Sequence, residues 1–234
     1  KAETAKLFII FDDLFYAMFE AAQAVLMYIG REPPGIRGSP DAVRKYLVDE
    51  GMLEKQYADD LEAVVKFHKG VEHGTIKSIP SKEIDEWIER TKKFVSRMEK
   101  LLEKLEEENR AYEIKKATEV AVRAAITALR AIDKLPKQTE EIPEAFKKYL
   151  IGAGLVSTNY SDVLDRLIKL NKLVAEGKIS KISDEEVYAN REYVRKFLFD
   201  IRNLLREQAA MPPESRMEAK KLEDAEKKIR GEIG

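Results

Sequence analysis

The chain has 234 residues, no cysteine and a net charge of −1, from 42 basic and 43 acidic side chains. The lack of cysteine excludes disulfides, thiolate zinc sites and cysteine nucleophiles, and the balanced charge gives no overall basic excess for non-specific nucleic-acid binding. Charged residues make up 36% of the chain and are mostly Lys and Glu, a composition that favours a thermophilic source. No signal peptide is recognisable, so we expect a cytoplasmic protein.

The first predicted helix is a strongly apolar stretch that ends near Gly30. Acidic residues such as Asp12 and Glu20 interrupt it, so we expect a buried helix, with no membrane span and no membrane partner. On a helical wheel, the apolar side chains form a core face that covers about half of the circumference. Three more form a thin stripe between the acidic residues: Ile9, Tyr16 and Met27. We interpret this stripe as a partner-docking contact, with ordinary partly exposed side chains as the alternative.

An internal repeat appears when the chain is aligned with itself at an offset of 103 residues. Residues 20–102 and 123–205 share 26 identities in 83 aligned positions, without an insertion. "KYLVDEGML" at 45–53 aligns with "KYLIGAGLV" at 148–156, and two Gly and two Pro positions also match, among them Gly51 with Gly154 and Pro40 with Pro143. Chance similarity between Lys/Glu-rich helices would not also match these Gly and Pro positions, so the repeat indicates a duplication.

Each copy predicts four helices. In the first copy, the second helix begins at Ser39, where Ser can cap and the following Pro suits the first turn, and it ends at Gly51. The third covers about 57–72, and the fourth begins near Ser81. In the second copy, the first helix covers about 112–133, and a capping box at 183–186 begins the fourth. No strand-like alternation occurs, so we expect an all-α protein.

The link between the copies contains no Gly or Pro from Ser81 to Leu135, so one helix could continue into the next. We nevertheless expect a break at the polar run "EKLEEENR" (103–110), because two units that fold back on each other need one. A further helix is predicted after the "AAMPPES" segment that begins at residue 209. Its balanced charge is typical of a solvated or packing helix rather than a nucleic-acid arm.

Both histidines lie in "FHKGVEHG" (67–74), whose counterpart is "LNKLVAEG" (170–177). His68 and His73 are five residues apart, about 140° around a helix, and so do not form the i, i+4 pair that a metal would prefer. His68 and Glu72 have that spacing but lack a third ligand. The sequence also carries neither a Gly-rich phosphate loop nor a Ser/His/Asp signature. We therefore predict no metal and no cofactor.

The order of these elements resembles the HEPN superfamily, and most of all the HEPN toxins that are paired with minimal nucleotidyltransferases. The chain shares an Ala-rich first helix, a Pro loop, a helix that ends in L-x-x-x-G-x-(I/L), and a helix that ends in His. The family motif near the end of the third helix is Arg-Asn-x-x-x-His, often followed by x-Tyr. In active members the resemblance implies a metal-independent ribonuclease, in which Arg steadies the phosphate and His transfers protons. Two protomers form one cleft, and a nucleotidyltransferase partner can modify the Tyr.

The motif matches this chain only in part. The family Arg, Asn, His and Tyr positions hold His68, Lys69, His73 and Thr75 in the first copy, and Asn171, Lys172, Glu176 and Lys178 in the second. The resemblance thus makes His73 and His68 the candidate catalytic residues. Lys69 shares a helix face with His73, and we expect Lys69 and Lys172 to bind phosphate. The alternative is an exposed lysine and a helix-terminal histidine that interact with the helix dipole.

We therefore expect an all-α chain of two tandem HEPN-like four-helix bundle units that form an internal pseudo-dimer, plus a C-terminal helix. The units cover residues 1–106 and 107–208, and the C-terminal extension covers 209–234. The degenerate motif predicts that ribonuclease activity is lost, so the chain would be an RNA- or nucleotide-associated domain and not an enzyme. The resemblance implies that the chain is the C-terminal part or the partner of a nucleotidyltransferase, and we expect a piece of a longer protein because the chain opens directly on a helix. The alternatives are a helical scaffold or oligomerisation module, which could homodimerise, and a weak ribonuclease that uses His73.

Overall fold

The computed structural model describes residues 2–207, with side chains from residue 8 onward. The helices are α1 (Ala2–Tyr28), α2 (Ser39–Val43), α3 (Lys55–Glu72), α4 (Ser81–Ala131), α5 (Ile142–Phe146), α6 (Val163–Ala175) and α7 (Asp184–Glu207). α2 and α5 continue directly into π-helical turns, Arg44–Val48 and Lys147–Ile151. Residues 2–207 contain no strand, which confirms the all-α prediction for them. The predicted extension at 209–234 lies outside the described residues.

The sequence repeat is also a repeat of structure. α5 begins 103 residues after α2, α7 begins 103 residues after α4, and α6 ends 103 residues after α3. The turn glycines behave alike, because Gly51 and Gly154 have φ angles of 73° and 70°. This left-handed conformation is easy for glycine and rare for other residues. The matched glycines therefore mark the same turns in both copies.

The expected break at residues 103–110 is wrong, because α4 runs without interruption from Ser81 to Ala131. Glu, Lys, Leu and Arg dominate this part of α4, and all are strong helix formers. The chain divides into two compact units, Lys1–Glu106 and Glu107–Gly234, called unit 1 and unit 2 below. The division falls inside α4. In the described part of the chain, no helix is both long and apolar enough to cross a bilayer.

The core of unit 1 is built on the wide apolar face of α1, as predicted. Buried side chains from this face are Phe11, Phe15, Met18, Ala22, Val25 and Leu26. They pack against Leu61 and Val64 of α3 and Phe94 of α4. The thin stripe is exposed, with Ile9, Tyr16 and Met27 at 63%, 42% and 56% of full accessibility. Its role in docking stays a prediction.

The core of unit 2 uses smaller side chains on its first helical segment. The buried face of α4 carries Ala121, Ala124, Ala125 and Ala128. These alanines join a cluster with Leu167 of α6 and Phe197 of α7. Phe146 belongs to the same cluster and stacks edge-on against Phe197 at 5.5 Å. Phe146 replaces Val43 of the first copy. Its larger ring fills part of the core volume that the small alanine side chains of α4 leave empty.

Candidate functional site

The end of α3, where the family motif aligns, is fixed by backbone hydrogen bonds. The N–H of His73 donates to the Lys69 carbonyl at 2.9 Å, and the following Gly74 has a φ of 69°. The N–H groups of Thr75 and Ile76 both donate to the Gly70 carbonyl, at 2.9 and 3.0 Å. A Cβ atom on Gly70 would lie 2.7 Å from the Ile76 side chain. The helix therefore ends in a tight turn that holds Lys69 and His73 in its last turn.

His68 is held against α1. Its Nε2 atom lies 2.8 Å from Oδ1 of Asp12, and its ring stacks on Phe15 with a centroid distance of 4.0 Å. Tyr16 approaches the ring edge-on at 6.1 Å. The Nδ1 atom is buried and has no hydrogen-bond partner within the described chain. The residue at the family Arg position thus faces a carboxylate and two aromatic rings.

His73 and Lys69 differ from His68 in their surroundings. His73 is exposed and Lys69 is half-buried. Neither side chain forms a hydrogen bond or an ion pair with another residue of the described range. The structure therefore places Lys69 and His73 at the same helix end, in surroundings that differ from those of His68.

The equivalent helix end in unit 2 has the same backbone geometry and different side chains. The N–H of Glu176 donates to the Lys172 carbonyl at 2.9 Å, and Lys172 is exposed. Glu176 replaces His73, and its carboxylate pairs with Lys178 at 2.6 Å. Unit 2 therefore keeps the cation of the predicted phosphate set and carries an acidic residue at the motif histidine.

A groove of about 400 Å³ lies in unit 2 at the place that corresponds to the contact of His68 with Asp12 and Phe15 in unit 1. It is lined by Lys115, Thr118, Glu119, Val122, Arg123, Ile126 and Asn171. Each of these residues lies 103 positions after a residue of α1 or α3 in unit 1, and Thr118 and Asn171 replace Phe15 and His68. The smaller side chains leave space that the stacked rings fill in unit 1.

Comparison with protein-family models, curated proteins and solved structures finds no match. The HEPN resemblance therefore rests on the order of elements and on the motif positions of the sequence itself. Among the residues that the structure describes, no group of three or more His, Asp or Glu side chains is arranged to hold a metal ion.

Sequence reasoning missed two residues of this site, Asp12 and Phe15. The apolar pattern of α1 marks Asp12 only as an interruption and Phe15 only as a core residue. The wheel did carry a signal, because Asp12 lies three residues before Phe15 and so borders the core face, about 60° from it. The pairing with His68 depends on how α1 packs against α3, which the periodicity of either helix alone does not give.

Proposed function

We propose that this chain is a non-catalytic helical domain of HEPN type that associates with RNA or nucleotides through phosphate contacts at the ends of α3 and α6. The observation that carries the proposal is the repeated cation. Lys69 and Lys172 hold the same place in the two copies, each four residues before the capping residue. Neither forms an ion pair with a described residue. Lysines that are kept in both copies without an ion pair suit an anionic ligand.

The surroundings of His68 support the loss of ribonuclease activity. Phosphodiester cleavage needs a protein side chain with a fixed positive charge beside the nonbridging oxygens of the phosphate. At the position where the family has Arg, unit 1 has a histidine whose Nε2 lies against the Asp12 carboxylate. In unit 2, Asn171 stands at that position and Glu176 replaces the motif histidine. Neither helix end thus carries the Arg–His combination that the chemistry requires.

Binding is tested by fluorescence anisotropy of the full chain with a labelled single-stranded RNA at low salt. We expect binding that weakens as salt rises, and a loss of about tenfold or more in Lys69→Glu/Lys172→Glu, since a tenfold loss needs only about 1.4 kcal/mol. Lys82→Glu/Lys181→Glu is the matched control, because both lysines are exposed and the change in charge is the same. No binding by the wild type, or an equal loss in the control, would contradict the proposal.

The ribonuclease alternative is tested with the same RNA. His73 is the exposed histidine of the pair, so it is the residue to change. We expect neither the wild type nor His73→Ala to cleave the RNA. Cleavage by the wild type that disappears in His73→Ala would replace the binding proposal with a weak ribonuclease.

The internal pseudo-dimer and the nucleotidyltransferase partner belong to the same proposal. The chain has no cysteine, so two thiols introduced by Lys69→Cys/Lys172→Cys are the only ones present. If the units pair as HEPN protomers do, a short bifunctional maleimide should cross-link them within one chain. Thiols that react singly but do not cross-link would contradict the pseudo-dimer while leaving phosphate binding at each helix end open to its own test.

A docking module is the second candidate, favoured by the exposed stripe of Ile9, Tyr16 and Met27. The acidic residues Asp13 and Glu20 lie beside this stripe on the wheel. The complementary partner is therefore a basic amphipathic helix. Ile9→Ser/Met27→Ser should weaken capture of such a helix peptide without changing RNA binding. If the stripe instead binds a second copy of the chain, light scattering will detect a dimer that the same variant dissociates.

A further inference from the structure

Unit 1 contains a basic groove of about 330 Å³ along the N-terminal half of α4, at the start of α3. It is lined by Tyr57, Lys92, Lys93, Ser96, Arg97 and Lys100. Four of these six side chains are cationic, and none is acidic. Lys92, Ser96 and Lys100 follow one another at intervals of four residues, so they form one row along the helix surface, with Lys93 and Arg97 in the adjacent row.

Two of these four cationic side chains form contacts within the protein, and two form no salt bridge with a described residue. Arg97 is fixed because its Nε donates to Glu54 at 2.9 Å and a terminal nitrogen donates to the Met52 carbonyl at 2.8 Å. Lys92 pairs with the exposed Glu89 at 2.8 Å, and Glu89 also lies near Lys93. Lys93 and Lys100 form no salt bridge with any described residue.

The two hydroxyl groups of the groove are also uncommitted. Neither Tyr57 nor Ser96 forms a side-chain hydrogen bond within the described part of the chain. The Tyr57 ring is anchored by an edge-on contact with Phe94 at 6.1 Å. The groove therefore combines an oriented guanidinium, two unpaired ammonium groups and two hydroxyl donors.

The second copy shows that the fold does not require these cations. The equivalent positions hold Tyr160, Arg195, Lys196, Phe199, Asp200 and Asn203. There the tyrosine hydroxyl donates to Asp200 at 2.9 Å, and Arg195 pairs with Glu192 at 2.8 Å. The same helix pair thus packs with an internal hydrogen bond in place of a basic groove. Like charges one turn apart, such as Lys93, Arg97 and Lys100, repel each other, so this cluster in unit 1 is a feature that packing alone does not explain.

We propose that this groove binds a pyrophosphate group, either free or carried by a nucleoside diphosphate. Lys93 and Lys100 are seven residues apart, about 10 Å along α4, so two linked phosphates engage both ammonium groups where a single phosphate engages one. Arg97 lies between them in sequence, with a guanidinium suited to phosphate oxygens. Tyr57 supplies a hydroxyl donor and an aromatic edge beside the anion.

This site is separate from the end of α3. Tyr57 and Lys69 are twelve residues apart on the same helix, about 18 Å along its axis. The groove therefore goes beyond the proposed function and does not depend on the Lys69 and Lys172 contacts.

The test is calorimetric titration of the full chain with inorganic pyrophosphate, ADP and AMP at low salt. We expect pyrophosphate and ADP to bind at least about tenfold more tightly than AMP, and Lys93→Ala/Lys100→Ala to weaken both by about tenfold or more. Lys181→Ala/Lys196→Ala is the matched control, because it removes the same charge from unit 2 and should change affinity less than about twofold. Arg97 is left unchanged because it also holds Glu54 and Met52. Circular dichroism checks that each variant is folded.

The outcomes separate the ligand sources and the two proposals. Equal affinity for pyrophosphate and ADP assigns the groove to the anion alone, and tighter ADP binding assigns it to a nucleotide. No pyrophosphate binding by the wild type, AMP as tight as ADP, or an equal loss in the control would overturn the inference. Pyrophosphate binding that is lost in Lys69→Glu/Lys172→Glu and retained in Lys93→Ala/Lys100→Ala would also overturn it, while supporting the helix-end site.

Discussion

His68 and Asp12 join α3 to α1 through a 2.8 Å contact between a ring nitrogen and a carboxylate oxygen. The histidine side chain is only 16% exposed, whereas the aspartate is 53% exposed. Unit 2 has Asn171 and Lys115 at these positions and an open groove beside them. The pair is therefore a connection that unit 1 alone makes between its two helices, at a position where the resembled family keeps a phosphate-binding arginine.

Removal of the Asp12 carboxylate should destabilise unit 1. Asp12→Ala is expected to lower the free energy of unfolding by about 1 kcal/mol, because the lost contact involves one exposed and one largely buried partner. Urea unfolding measures the change. Asp13→Ala is the matched control, since Asp13 is an exposed neighbour with no contact to His68, and it should change stability by only a few tenths of a kcal/mol. Equal losses in the two variants would contradict a structural role for the pair.

Glu62 should make the stability of the protein depend on acid pH. Hydrogen bonds from Lys66 and then Arg44 lower the pKa of this carboxyl from 4.5 to about 2. Because the pKa is depressed in the folded state, the stabilisation is complete above pH 4.5 and is lost as pH falls towards 2. Glu62→Gln should therefore flatten the fall in unfolding free energy across that window.

The control for this pH dependence is Glu50→Gln, because Glu50 is exposed and makes no ion pair within the described chain. Urea unfolding from pH 2 to pH 7 compares the three proteins. If Glu62→Gln keeps the full slope of the wild type, the contacts with Arg44 and Lys66 do not act on folding in solution.

Asp133 is a non-glycine residue in a left-handed backbone conformation, at a position where the first copy has glycine. It has a φ of 58°, and Gly30 occupies the same place in the first copy with a φ of 74°. Aspartate tolerates this left-handed conformation less well than glycine. Asp133→Gly should therefore raise the melting temperature slightly, by an amount equivalent to about 0.5 kcal/mol, and Gly30→Asp should lower it by a similar amount. Thermal unfolding that moves in the opposite direction for either variant would contradict the argument.

The local boundaries of the fold followed from the sequence because glycine and proline mark them. Gly51, Gly74 and their copies adopt the left-handed conformation that ends each helix. The capping residue Ser183 accepts the N–H of Glu186 at 3.2 Å, as its motif predicts. At Ser39 only the start of the helix was right, because that side chain is buried and does not cap.

The predicted break in α4 conflicts with the local helix propensity of the sequence around it. The polar run at 103–110 contains strong helix formers and no breaker, so local propensity indicated one helix. The predicted break rests instead on the requirement that two units fold back on each other. Single-sequence reasoning has no term that can decide between these arguments.

Contacts between helices were the least predictable part of the candidate site. The sequence places Lys69 and His73 near each other because Lys69 lies in the last turn of α3 and His73 caps it. The partner of His68 is 56 residues away on α1, and the groove beside Tyr57 combines residues of α3 and α4. Contacts between residues of different helices leave no periodic pattern in the sequence, so only the packed structure reveals these two.

The hydrogen bond from Tyr160 to Asp200 should be one of the stronger polar contacts of unit 2. Burial and then the bond to Asp200 raise the pKa of the Tyr160 hydroxyl well above its usual value, so its stabilisation is complete below pH 10 and is lost as pH rises further. Tyr160→Phe should lower the free energy of unfolding by about 1–2 kcal/mol at pH 7, because the acceptor is charged. Tyr188→Phe is the control, since Tyr188 is 60% exposed and its hydroxyl should contribute little. Urea unfolding at pH 7 and absorbance titration of the folded protein measure both effects. Ionisation of Tyr160 at its usual pKa in the folded protein would contradict the contact.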